Sequence, residues 1–271
     1  MLKDITIGQY FPGESFIHKL DPRTKIILSL LLIVCLFVIN KFTGYILVVI
    51  YLIAIIQIAK IPKKFVFNGL KPVLLLVIFT AVLNIFMVKG TPETLVYKLG
   101  FLSIYKEGLS IAGFMAIRLI LLITGTSLLT LTTSPIELTD GIEKLLKPIG
   151  KEIAHELAMM MTIALRFIPT LMDESDKIMK AQKARGADFE SGGLIQKAKN
   201  LVPLLVPLFI SSFRRADELA MAMEARCYRG GSGRTRMKVL KFTFKDIVAF
   251  LIFALLIIWS FAIRFFIKGI I

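Results

Sequence analysis

Long apolar runs, each bounded by basic residues, proline or glycine, dominate the first half of the chain and return at its end. A helix crosses the hydrocarbon layer with about 20 apolar residues, or with fewer where flanking lysines reach the interface. Ile26–Ile39 is short, but Arg23, Lys25 and Lys41 flank it and can snorkel. A tight turn at Asn40-Lys41-Phe42-Thr43-Gly44 leads into Tyr45–Ala59. Pro72–Val88 and Leu109–Thr132 follow, and Ile247–Phe266 is the cleanest run. The pattern predicts an all-α membrane protein with about five spans: four in residues 1–132, and a fifth in 247–271.

Between the fourth and fifth runs the periodicity changes. Glu137–Leu146 reads as a short amphipathic helix with Ser134 and Pro135 as its start signal. A long helix is predicted from about Lys151 to Arg185, with Pro169 as a kink. A second runs from about Leu201 to Arg226, with Pro203 and Pro207 near its start, and Gly186, Gly192 and Gly193 mark the break. Leu201–Phe213 is too short and too rich in proline to span; it lies along the membrane surface or packs in the bundle.

Composition agrees with a lipid environment, since 56% of residues are apolar and mean hydropathy is +0.77, against roughly 45–50% apolar in soluble domains. The net charge of +15 could suggest nucleic acid. The basic residues, however, flank apolar runs or mix with acids, as anionic headgroups and the positive-inside bias require. Lys3, Lys19, Arg23 and Lys25 precede the first run, and Lys60, Lys63, Lys64 and Lys71 crowd the loop after the second. The other two loops hold Lys41 alone, then Lys89, Lys98 and Lys106. The N-terminus is therefore expected in the cytoplasm, as is 133–246, where 19 Lys+Arg mix with 14 Asp+Glu. The opening MLKDITIGQYFPGES lacks the layout of a cleaved signal. Cys35 and Cys227 lie in different environments, which makes a disulfide unexpected.

The two long helices carry an internal repeat. One closes Ala181-Gln-Lys-Ala184-Arg185-Gly186 and the other Ala222-Met-Glu-Ala225-Arg226-Cys227. Each has an aspartate nine residues before its arginine, Asp176 and Asp217. Alanine at these spacings gives a narrow face, so that two helices can approach closely or one can enter a groove. Arginine at a helix C-terminus also satisfies the dipole, with Gly186 an ordinary cap. The repetition favours paired docking, for which a planar guanidinium can hold a partner's carboxylate. Methionine is concentrated nearby, at Met159, Met160, Met161, Met172, Met179, Met221 and Met223. Such a stripe serves as core filling or as an adaptable interface.

Several chemistries lack their residues. Gly230-Gly231-Ser232-Gly233-Arg234-Thr235 is only superficially like a P-loop, so no ATP site or other cofactor is expected in this chain. With only His18 and His155, neither a metal cluster nor a His-based triad is expected. No carboxylate falls inside an expected span, whereas ion-coupled transport uses buried ones. Energy would have to come from a partner. Arg118, the one charge well inside a span, is expected to pair with backbone carbonyls or snorkel outward.

The segment Gly8-x-Tyr10-x-Pro12-Gly13-x-Ser15-x-x-His18-x-Leu20-Asp21-Pro22-Arg23-Thr24-Lys25 resembles the opening of the transmembrane T components of energy-coupling factor (ECF) transporters, the CbiQ/EcfT family. The resemblance continues through Thr132-Thr133-Ser134-Pro135, Arg166-Phe167-Ile168-Pro169 and Ala181–Gly186, and covers nearly the whole chain. It implies a non-catalytic subunit that joins two ABC-type ATPases, which bind the ATP, to a substrate-capturing S component for vitamin or metal-ion uptake. It further implies crossing coupling helices, each ending in an arginine motif that enters a groove of one ATPase. Those motifs match Ala184-Arg185-Gly186 and Ala225-Arg226-Cys227, the second departing by its cysteine. The S component would meet the face carrying Met159, Met160, Met161, Met172, Met221 and Met223. The competing readings are a membrane scaffold or assembly protein without ATPase coupling, and an intramembrane enzyme. The lack of an activated nucleophile counts against the latter.

Overall fold

The computed structural model describes residues 10–88, 90, 94–99, 102–189, 191, 193–231 and 239–266. Lys3, Gly8, Lys89, Gly192 and the stretch Ser232-Gly233-Arg234-Thr235, all named above, lie outside them. The elements run α1 (Pro22–Val38), α2 (Phe42–Ala59), α3 (Lys63–Met87), β1 (Leu95–Leu99), β2 (Leu102–Tyr105), α4 (Lys106–Thr132), α5 (Pro135–Leu146), α6 (Lys151–Ala184), α7 (Leu194–Ala225) and α8 (Phe244–Phe266). The protein is an all-α membrane protein, with, among the described residues, one short antiparallel hairpin, β1–β2, between α3 and α4. The described residues divide into two compact units, 142–239 and 10–141 with 240–266, and α5 runs across the boundary.

Among the described residues, four helices are long and apolar enough to cross a membrane: α2, α3, α4 and the Phe244–Ile263 part of α8. The fifth span, expected at Ile26–Ile39, is not among them, because α1 has 17 residues, about 26 Å of helix against a hydrocarbon layer of about 30 Å. Of the basic residues flanking it, Lys25 does not snorkel. Lys25 is buried, and its ammonium donates to the carbonyls of His18 at 3.0 Å and Thr132 at 2.8 Å.

In the membrane unit, Leu28, Leu32 and Leu36 of α1 meet Val48 and Leu52 of α2, Leu121 and Leu128 of α4, and Phe253 and Leu256 of α8. Lipid tails are as apolar as leucine, so close packing and not water exclusion holds such helices together. Gly108 shows how close: a Cβ there would lie 3.1 Å from the backbone carbonyl oxygens of both Asn84 and Ile85 in α3. The outer face of α3 exposes Leu74, Leu75, Ile78, Phe79 and Val82, as a lipid-facing helix does.

The N-terminal signature residues form a polar knot beneath this packing. Asp21 caps α1, its Oδ1 accepting from the Arg23 amide at 2.9 Å while Arg23 closes a fork on both oxygens. The Asp21 amide donates to Oδ1 of Asp246 at 2.9 Å, and Asp246 Oδ2 accepts from the amide and hydroxyl of Thr243. Asp246 is fully buried in the first turn of α8, one residue ahead of the expected start of that span. The Phe11 amide donates to the Leu131 carbonyl at 2.9 Å. One short motif thus ties together the start of α1, the end of α4 and the start of α8.

Arg118 of α4 takes up the orphan carbonyl at the end of α1. Its Nη2 donates to the Ile39 oxygen at 3.3 Å and its Nε to the Tyr45 hydroxyl at 3.0 Å, with the rings of Phe37 and Phe114 nearby. A half-buried guanidinium inside a span is tolerated where carbonyls and aromatic faces replace part of its water.

Candidate docking site

The unit formed by 142–239 is dominated by α6 and α7, each amphipathic and more than thirty residues long. The expected helix from Lys151 ends at Ala184 with Arg185 as its cap. The second begins at Leu194, earlier than expected, and ends at Ala225 with Arg226 as its cap. Pro203 and Pro207 therefore lie inside α7, and Pro169 inside α6.

Both helices stop in the same way. In α6 the Gly186 amide donates to the Lys183 carbonyl and the Ala187 amide to the Gln182 carbonyl, both at 3.0 Å. In α7 the Cys227 amide donates to Glu224 at 2.8 Å and the Tyr228 amide to Met223 at 3.0 Å. This 5→2 and 6→1 pairing is the Schellman motif, which places the residue after the cap in the left-handed region. Gly186 has φ +86° and Cys227 φ +56°. The cysteine that breaks the repeat in sequence therefore keeps it in conformation, though side chains resist that region.

The cap sets the arginines at the very end of each helix, where Ala184, Arg185 and Gly186, and Ala225, Arg226 and Cys227, are all exposed. Ala181 and Ala222 are exposed as well, so the narrow alanine faces are not used for packing within this unit. Nine residues of helix is about 13 Å, which keeps Asp176 and Asp217 out of reach of their arginines.

The structure does not bring the two arginines together. Gln182, near the end of α6, donates to the Pro203 carbonyl early in α7, and Asn200 donates to the Asp188 carbonyl at 2.7 Å. At the opposite end, the Tyr228 hydroxyl lies 3.4 Å from Nε2 of His155, whose Nδ1 lies 3.3 Å from Glu143. The helices are antiparallel, so Arg226 stands beside the start of α6. Arg185 lies eleven residues beyond Glu174 and Arg226 eleven beyond Arg215, in opposite directions, which puts the two arginine ends about 30 Å apart along the helices.

Where the helices meet, Glu174 of α6 accepts from Nη2 and Nε of Arg215 at 2.6 and 3.1 Å, and from the Ser211 hydroxyl. That hydroxyl first, then the guanidinium, hold the Glu174 carboxyl below its ordinary value.

None of the six methionines expected at an interface is buried, and Met160 and Met221 are strongly exposed. An exposed apolar stripe also runs along α7. Leu201, Val202, Leu205, Val206, Phe209, Ile210 and Phe213 are all exposed along α7, at alternating steps of one and three residues, so that i and i+4 recur. Ile153, Leu157 and Met160 continue such a stripe on α6. The i, i+4 spacing is the sequence signal for this face, and Pro203 and Pro207 within it mask the helical period.

The family described as cobalt transport protein (CbiQ) matches residues 13–238. The chain is 69% identical over 251 residues to the energy-coupling factor transporter transmembrane protein EcfT of Clostridium kluyveri, covering 92% of this chain and 93% of that one. It is 59% identical to the protein of the same description from Thermosediminibacter oceani, over 97% and 99% of the two chains. With that from Bacillus subtilis the identity is 48%, over 95% and 98%. The chain belongs to the CbiQ/EcfT family of energy-coupling factor transporter transmembrane proteins.

Proposed function

We propose that this chain is the non-catalytic coupling subunit of an ECF-type importer, with Arg185 and Arg226 each docked in a groove of one ABC-type ATPase. The observation that carries the reading is the repeated helix end. Two exposed arginines sit at the same position of the same Schellman termination, about 30 Å apart along the helices. That separation suits two partner subunits, since one groove could not receive both. ATP is bound and hydrolysed by those partners, and this chain holds no cofactor.

The exposed apolar stripe of α7, with Met159, Met160, Met161, Met172, Met221 and Met223, is the face offered to an S component in the membrane. An amphipathic helix presents such i, i+4 anchors to a partner, and flexible methionine lets one face accept several partners. The N-terminus and α6–α7 then lie on the cytoplasmic side, α1 inserts with the four longer helices, and ATP-driven movement of the ATPases reorients the S component to release a vitamin or metal ion inside.

The test is purification of the complex carrying Arg185→Ala, Arg226→Ala or both. Arginine anchors at interface centres contribute roughly 2 kcal/mol or more. Each single change should therefore weaken retention of an ATPase about 30-fold, and the double change should abolish retention and uptake. Unchanged retention in the double variant would leave a scaffold without ATPase coupling as the better account.

A further inference from the structure

We infer that Glu174, Arg215 and Ser211 form the pivot of the two arginine-ended helices, placed where the internal repeat meets itself. The inference rests on the docking reading above for its purpose, and on the following geometry for its existence.

Arg185 and Arg226 stand 41 residues apart, as do Asp176 and Asp217. Glu174 and Arg215 are separated by the same 41 residues, so they occupy equivalent positions in the repeat. Two equivalent positions touch each other only where a local two-fold axis passes between the elements, as in an isologous interface. Identical charges on such an axis would repel. The repeat is broken in the way the axis demands: Asp173-Glu174 in one copy stands against Arg214-Arg215 in the other, while Asp176 and Asp217 two residues later remain alike. Ser211, which also donates to Glu174, has Thr170 as its equivalent, again a hydroxyl.

The consequence is a symmetric lever. Each arginine lies eleven residues beyond the contact on its own helix, about 16 Å of rise, and the antiparallel arrangement sends them in opposite directions. Glu174 and Arg215 are positioning residues: neither touches the proposed partners, yet their contact fixes where both docking ends point. The fork of Arg215, bonded through both Nη2 and Nε, resists rotation better than a point charge does.

The test uses the full chain in its complex. Spin labels at the exposed positions Lys180→Cys and Glu218→Cys, short of the docking ends, in a Cys35→Ser, Cys227→Gly background, report the spread of distances between the two helix ends. Glu174→Gln or Arg215→Gln should broaden that distribution and lower the uptake obtained per ATP hydrolysed by roughly fivefold, the size of a contact-pair coupling. The exchanged pair Glu174→Arg with Arg215→Glu should restore both readouts, which a general loss of packing would not allow. Single changes that leave the distribution unaltered, or an exchange no better than the singles, overturn the pivot. If the exchanged pair does not accumulate, Arg215→Lys decides. A width between those of the parent and Arg215→Gln supports the pivot, and a width equal to that of Arg215→Gln refutes it. The pivot variants keep both docking arginines. Loss of ATPase retention in the arginine-to-alanine variants together with parent-like pivot variants sinks the pivot alone. Intact retention in the arginine variants sinks the docking reading, and the spin-label distances still decide the pivot.

Discussion

Cys227 is held at φ +56° by the two hydrogen bonds that close α7, where an L side chain costs roughly 1–2 kcal/mol relative to glycine. Cys227→Gly should therefore raise the stability of this helix end by about 1 kcal/mol, while Cys227→Val, branched at Cβ, should lower it. Thermal unfolding of the purified protein in detergent checks both, and a destabilised glycine variant would show that the thiol makes a contact outweighing the backbone strain. Arg185 and Arg226 were legible from sequence as a repeated pair. Their shared cap geometry was not, because a cysteine gives no hint that its φ is positive.

At the scale of elements, the ends of α6 and α7 could be read from the sequence and the start of α7 could not. The alanine–arginine endings are sharp, and glycine follows one of them. The prolines at 203 and 207 suggested a first turn, since a missing N–H is harmless there. Instead Gly193 caps the helix, and each proline removes an amide from a helix already under way. The exposed stripe belongs to this scale too. Phe209→Asp replaces a side chain that is 61% exposed, so stability should change by no more than about 0.5 kcal/mol. Retention of an S component should fall roughly tenfold if this is a central contact. Co-purification of the small membrane partner, measured beside the unfolding midpoint, separates the two effects; a large fall in midpoint with retained partner would mean that Phe209 packs within the chain.

For the whole molecule, the knot around Asp246 joins segments 225 residues apart in sequence. Asp246→Ala would leave the amides of Asp21 and Thr243 without their acceptor inside the protein, each costing about 1–3 kcal/mol. A loss of about 3 kcal/mol is expected, with Asp246→Asn intermediate because it keeps one acceptor oxygen. Yield and unfolding temperature of the membrane-extracted protein measure it, and wild-type behaviour of the alanine variant would show that the knot contributes little.

The sequence by itself determined four membrane-length helices, the long amphipathic pair and the arginine repeat. Each of these depends on local order: run length sets what can span lipid, periodicity sets a face, and a repeated ending declares itself. Tertiary structure alone decided the rest. It placed Lys25 on two carbonyls where snorkelling was expected, satisfied Arg118 at the end of α1, and turned the carboxylate just ahead of the last span into a buried tie. It also set Glu174 against Arg215, a pairing that exists only once two helices run antiparallel. Such contacts are non-local, and their partners are chosen by geometry that no run of neighbouring residues encodes.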